Sequence, residues 1–109
     1  MESVAQRFLR YVSLDTQSAD GAEQIPSTEK QFALANLLVK EMHAMGISDA
    51  RVDAHCYVYG SIPATEQGLP ALGFIAHMDT SPDASGEGVR PRIVNGYPGG
   101  DIHLNAEVA

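Results

Sequence analysis

The sequence predicts an α/β fold, a mixed sheet with helices packed on it, and three patterns predict it. Between Thr28 and Met45 apolar residues recur at intervals of three and four. From Arg51 to Ile62 the pattern changes to every second residue, and Ala71-Leu72-Gly73-Phe74-Ile75-Ala76 is an apolar run of six bounded by chain breakers. Helical period, strand period and a short buried-strand signature within 109 residues describe one domain at most, built by packing helices on a small sheet.

The elements follow in order. Glu2 to Val12 carries Val4, Ala5, Phe8, Leu9, Tyr11 and Val12 among polar residues, the period of a short amphipathic helix. The polar stretch from Ser13 to Pro26 reads as a loop. Thr28 followed by Gln31 has the spacing of a capping box, with Glu29 where a helix N-terminus favours negative charge. Leu34, Leu37, Leu38, Met42 and Met45 then make one apolar face, which assigns both methionines to the core. Lys30, Asn36, Lys40, Glu41 and His43 fall largely away from it, and Gly46 ends the helix. Arg51–Ala54 and Tyr57–Ile62 read as two short strands around a turn at His55-Cys56, closed by Pro63. After a turn ending at Pro70, Ala71–Ala76 reads as a strand buried on both faces. Beyond Thr80 the chain is rich in Gly and Pro and reads as irregular, interrupted only by Arg92-Ile93-Val94.

Composition narrows the function. Seven Lys plus Arg against fourteen Asp plus Glu leave a net charge of −7, with no basic cluster, which argues against nucleic-acid and membrane-surface partners. The N-terminal residues lack the basic and apolar regions of a signal peptide, and the single cysteine suits a reducing compartment, so the chain is expected to be cytoplasmic. Cys56 has no second cysteine for a disulfide and no basic neighbour to activate it, and reads as a small half-buried side chain.

The chemistry lies just past the apolar run, in His77-Met78-Asp79-Thr80-Ser81-Pro82-Asp83. Sheets of α/β proteins present functional groups at the carboxyl ends of their strands. In extended backbone His77 and Asp79 project to the same side, so an imidazole and a carboxylate leave the strand tip together. A neutral imidazole suits zinc, and a ligating histidine needs a partner for its other ring nitrogen. The same residues also carry turn chemistry, because Asp, Ser and Pro each favour chain reversal.

This segment resembles the first metal-site motif of the co-catalytic zinc aminopeptidases, and within them the peptidase T family of tripeptide aminopeptidases. Arg7-Phe8, Tyr11-Val12, Asp15-Thr16-Gln17-Ser18, Gln24 with Pro26-Ser27-Thr28, Met45-Gly46, Gly73-Phe74 and Tyr97-x-Gly99-Gly100-Asp101-Ile102 resemble the N-terminal part of that family in the same order. The resemblance implies that residues 1–109 are the incomplete N-terminal part of a metallopeptidase catalytic domain. It implies that His77 is a ligand of one zinc and that Asp79 is the catalytic acid residue orienting it. It further implies two zinc ions as cofactor and short peptides, tripeptides above all, as substrates. One imidazole and one carboxylate would also accept manganese or cobalt.

The family's remaining ligands and its glutamate general base lie downstream of this motif, beyond Ala109, so the isolated chain is expected to be inactive. His43, His55 and His103 each lack a second ligand at fixed local spacing, and Asp101 matches the family without an assigned role. The alternative is a non-enzymatic binding or dimerisation module that keeps part of the fold and forms a homo-oligomer through an open sheet edge.

Overall fold

Ser3 starts the first helix. In the computed structural model, which describes residues 1–104, α1 spans Val4–Tyr11 behind a complete capping box. The Ser3 hydroxyl accepts from the Gln6 amide (3.1 Å), and the Gln6 side chain accepts from the Ser3 amide (2.8 Å). Its apolar stripe is not a core face, since Val4 and Phe8 are exposed. The helix is held by charge. Glu41 of the second helix accepts from Arg7 Nη1 (3.2 Å), Arg10 Nε (2.7 Å) and the Tyr11 hydroxyl, while Glu2 grips Arg10 from the other side. Glu41 is therefore not a free solvent-facing charge. Burial opposes its ionisation, but hydrogen bonds from Tyr11 and Arg10 and the charges of Arg10 and Arg7 outweigh that and hold its carboxyl below the ordinary value.

The second helix, α2, spans Gln31–Ala44 and begins later than the Thr28 capping box would place it. Thr28 gives its hydroxyl proton to the Gln17 carbonyl (2.8 Å), and its oxygen accepts from the Gln31 side-chain amide (2.9 Å). Three successive three-residue bonds, from Gln31, Phe32 and Ala33 back to Thr28, Glu29 and Lys30, lead the chain into the helix instead. The other end follows the sequence. Gly46 at φ +92° closes a Schellman motif, its amide donating to His43 (3.0 Å) and that of Ile47 to Met42 (2.9 Å).

Two short antiparallel strands, β1 (Arg51–Val52) and β2 (Val58–Tyr59), form the hairpin, with Arg51 opposite Tyr59 and Val52 opposite Val58. They are shorter than Arg51–Ala54 and Tyr57–Ile62. The turn begins at Asp53, whose amide still donates to the Tyr57 carbonyl (2.9 Å) while its carboxylate accepts from the amides of His55 and Tyr57 (2.9 Å each) in an Asx turn, with Cys56 at φ +66°. The hairpin packs on α2. There, a Cβ on Gly60 would lie 2.2 Å from Met42 Cε and 2.8 Å from Ile47 Cγ2, so any side chain at this position would force Met42 and Ile47 to shift.

The core is small: Leu34, Ala35, Ala50 and Cys56 are the buried apolar residues among those described, so Cys56 is buried rather than half-buried. Met45 is exposed, against the assignment of both helix methionines to the core. His43 is exposed yet hydrogen-bonds the Ala50 carbonyl through Nε2 (2.8 Å), tying the end of α2 to the start of β1.

The largest correction concerns Ala71–Ala76. Among the described residues it is not a strand, and Leu72, Phe74 and Ile75 are 80, 90 and 102% exposed. A strand buried on both faces needs neighbours on both edges and layers above and below, and two helices with one hairpin supply neither. The predicted mixed sheet is accordingly a two-stranded antiparallel one plus a single parallel bridge between Gln17 and Thr80. The observed architecture is a small α/β unit with an open remainder. Its radius of gyration is 17.3 Å, where a compact chain of this length has about 13 Å.

Candidate functional site

The segment carrying the chemistry is positioned by a loop, not by a buried strand. Thr16, itself buried, accepts at its carbonyl from the Thr80 amide (3.2 Å), and the Ser18 amide donates to the Thr80 carbonyl (2.9 Å). The Ser18 hydroxyl donates to that same carbonyl (3.0 Å), and the Gln17 side-chain amide donates to the Pro82 carbonyl (3.0 Å). The loop is fixed in turn to the entry of α2. Thr28 holds the Gln17 carbonyl, the Ala19 amide donates to the Ser27 hydroxyl (3.0 Å), and Lys30 pairs with Asp15 (2.8 Å). The Lys30 ammonium and the Gln17 amide hold the Asp15 carboxyl below its ordinary value. Gly86 closes over this carboxylate: a Cβ there would lie 2.7 Å from Asp15 Oδ1.

On this frame the His77 ring reaches Asp79. His77 Nδ1 lies 2.8 Å from the Asp79 carbonyl oxygen and 3.1 Å from Asp79 Oδ1. Both contacts are acceptors, so they favour the tautomer with the proton on Nδ1 and leave the Nε2 lone pair outward on a largely exposed ring. That is the arrangement in which an imidazole can ligate a cation. The turn reading holds one step further on, where Ser81 accepts from the Asp83 amide (3.1 Å) and donates to its carboxylate (3.0 Å).

Of the remaining candidates, His43 and His103 are not gathered here. His43 bonds to Ala50, and among the described residues His103 contributes only its carbonyl, to Arg92 (2.7 Å). His55 sits in the hairpin turn and, with His77 and Asp79, lines a cavity of about 780 Å³ whose other walls include Met42, Val58 and Phe74. Among the described residues no group of three or more His, Cys, Asp or Glu side chains is placed to hold a metal ion. Cys56 also lines the cavity, and burial, with the charges of Asp53 and Glu29, pushes its thiol up and away from thiolate chemistry. In the sequence the Asp15–Ser18 stretch reads as a loop that resembles the family, with no site role assigned to it. The sequence signal for its role was the Asp at a turn start, whose Oδ1 accepts from the Gln17 amide (3.0 Å).

No family model matches the chain. It is 51% identical over 110 residues to the peptidase T of Alkaliphilus oremlandii, an alignment covering 98% of this chain and 27% of that protein. It is 54% identical over 105 residues to the peptidase T of Aliivibrio fischeri, covering 95% and 26%. It is 53% identical over 108 residues to that of Desulfitobacterium hafniense, covering 98% and 26%. These relatives are peptidases by name. The sequence of this chain belongs to the peptidase T family over the part of a member's length that it spans, about a quarter of the curated relatives it matches.

No helix among the described residues is long and apolar enough to cross a membrane.

Proposed function

We propose that this chain is the N-terminal part of the catalytic domain of a cytoplasmic, zinc-dependent aminopeptidase that releases the N-terminal residue of tripeptides, and that it contributes one zinc ligand, His77. The observation that carries the reading is the His77–Asp79 pair, in which the acid and its own carbonyl engage Nδ1 and leave Nε2 outward. Asp79 acts by fixing the ring's orientation and tautomer, which sharpens the ligand's geometry and raises its basicity. The donor set fits one ligand position and no more, since no second metal-binding side chain joins the pair among the described residues. A zinc pair, when bound, supplies a water of lowered pKa and polarises the peptide carbonyl. The residues of this chain hold and orient. The resemblance implies that the general base and the other ligands lie outside this stretch, and the 109-residue chain by itself is expected to turn over no tripeptide.

The test is a chimera in which this chain replaces the matching stretch of the Alkaliphilus oremlandii peptidase T. It is expected to release the first residue of a free tripeptide, to lose that activity to a chelator, and to lose both bound zinc and activity in His77→Ala. Asp79→Asn is expected to lower kcat by about 10–100-fold, the usual loss for a group that orients a metal ligand. Full activity and zinc content in His77→Ala, or tripeptide turnover by the 109-residue chain alone, would overturn the reading.

A further inference from the structure

The His77 ring meets a peptide group as well as a carboxylate. The Asp79 carbonyl, 2.8 Å from His77 Nδ1, and the Thr80 amide, 3.2 Å from the Thr16 carbonyl, are the two ends of the Asp79–Thr80 peptide unit. That unit is trans, so its oxygen and its N–H point in opposite directions across one plane. By holding the N–H side, buried Thr16 aims the carbonyl side at the imidazole. The next unit is gripped as well. The Thr80 carbonyl accepts from the Ser18 amide (2.9 Å) and from the Ser18 hydroxyl (3.0 Å), which occupies both of its lone pairs. With the peptide plane on each side of Thr80 held, both of its soft dihedrals are held too.

A further peptide unit ties this clamp to α2. The Gln17 carbonyl accepts from the Thr28 hydroxyl (2.8 Å), and the N–H of the same unit is the Ser18 amide that donates to Thr80. Buried Gln31, the first residue of α2, donates in turn to the Thr28 hydroxyl (2.9 Å). Hydrogen bonds in series polarise one another. One line of donors therefore runs from the first turn of α2 to the residue that follows the His77–Asp79 pair.

The geometry points to Ser18 as a positioning residue: its hydroxyl, on a loop seated by Thr28 and Gln31, locks Thr80 so that Asp79 holds His77 in the Nδ1–H tautomer and leaves Nε2 free for a cation. Ser18 touches neither the imidazole nor the carboxylate and acts through the backbone of Thr80.

This role rests on the reading of His77 as a zinc ligand, and its first readout needs no metal. Nitrogen NMR of the 109-residue chain at about pH 8.5, above the ordinary histidine range, reports which ring nitrogen carries the proton. Ser18→Ala is expected to move the His77 tautomer ratio towards Nε2–H by about twofold or more, within the reach of one hydrogen bond. Ser18→Thr keeps the hydroxyl and is expected to keep the parent ratio. Thr28→Val is expected to shift the ratio in the same direction by less. His43, whose Nε2 faces the Ala50 carbonyl, is the internal control and is expected to stay unchanged in all three. In the chimera with the Alkaliphilus oremlandii peptidase T, Ser18→Ala is expected to weaken zinc binding by about 3–10-fold, less than the loss of a direct orienting partner. An unshifted His77 in Ser18→Ala, an equal shift in Ser18→Thr, or a parallel change at His43 would each overturn the role. A shifted tautomer together with full zinc content in the His77→Ala chimera upholds the clamp and removes the proposed function. Zinc lost in His77→Ala with no effect of Ser18→Ala does the reverse.

Discussion

Residues 1–60 and residues 61–104 hold similar side chains in opposite conditions. In the first region some apolar groups are covered, although Val4, Phe8 and Met45 are not: Leu34 and Ala35 on α2 and Ala50 and Cys56 at the hairpin are buried, and Met42 packs over Gly60. In the second region Leu72, Phe74 and Ile75 are as hydrophobic and stand in solvent. The contrast teaches that hydrophobic character decides which residues want burial, whereas burial itself depends on what other layers are present. The His77–Asp79 pair sits at the seam, anchored through Thr80 to the loop of the first region and preceded by the open run of the second.

The sharpest way to break this comparison is to shave the same kind of residue on both sides. Leu34→Ala is expected to destabilise the helix–hairpin unit by about 2–4 kcal/mol, as large-to-small changes in packed sites do. Ile75→Ala in the chain alone is expected to stay within about 0.5 kcal/mol, as exposed positions do. Urea denaturation followed by circular dichroism measures both, and equal losses would mean that the run at residues 71–76 is packed after all.

A smaller effect is expected at Gly60. The added methyl of Gly60→Ala would overlap Met42 and Ile47, for a loss of about 1–3 kcal/mol from overpacking. Because the closest atom is the flexible end of Met42, the double variant with Met42→Ala should recover part of that loss. Strict additivity in the same denaturation series would show that the two residues do not meet.

The smallest effect concerns the charged tether of α1. Glu41→Gln is expected to cost about 1–2 kcal/mol at pH 7, the range for a hydrogen bond to a charged group, reduced by its partial exposure. Because the folded state holds the Glu41 carboxyl below its ordinary value of 4.5, the stabilisation is present above that value and is lost as pH falls through the folded one. The difference between the parent and Glu41→Gln should therefore shrink from pH 7 towards pH 3. A difference independent of pH would show that Arg7, Arg10 and Tyr11 do not depend on the ionised carboxylate.

Much of this was legible in the sequence because it is local. Gly46 stops α2 where the period ends, and the hairpin forms around His55-Cys56. His77 and Asp79, two residues apart, are in contact. The misreadings share a cause. Thr28 has one hydroxyl, and whether it caps α2 or holds Gln17 depends on a loop eleven residues away in sequence. Glu41 looks like a solvated charge until α1 brings two arginines and a tyrosine to it.

The sequence by itself determined the family, the order of helices and hairpin, and the pairing of imidazole with carboxylate, since each depends on neighbours within a few residues or on a pattern spread along the chain. Only the tertiary structure decided that the Asp15–Ser18 loop, tied to the entry of α2, carries the motif, and that Ala71–Ala76 stands open. The physical reason is that a hydrogen bond or a buried face needs a partner from elsewhere in the chain, and a residue's own chemistry says what it can bond to without saying whether that partner arrives.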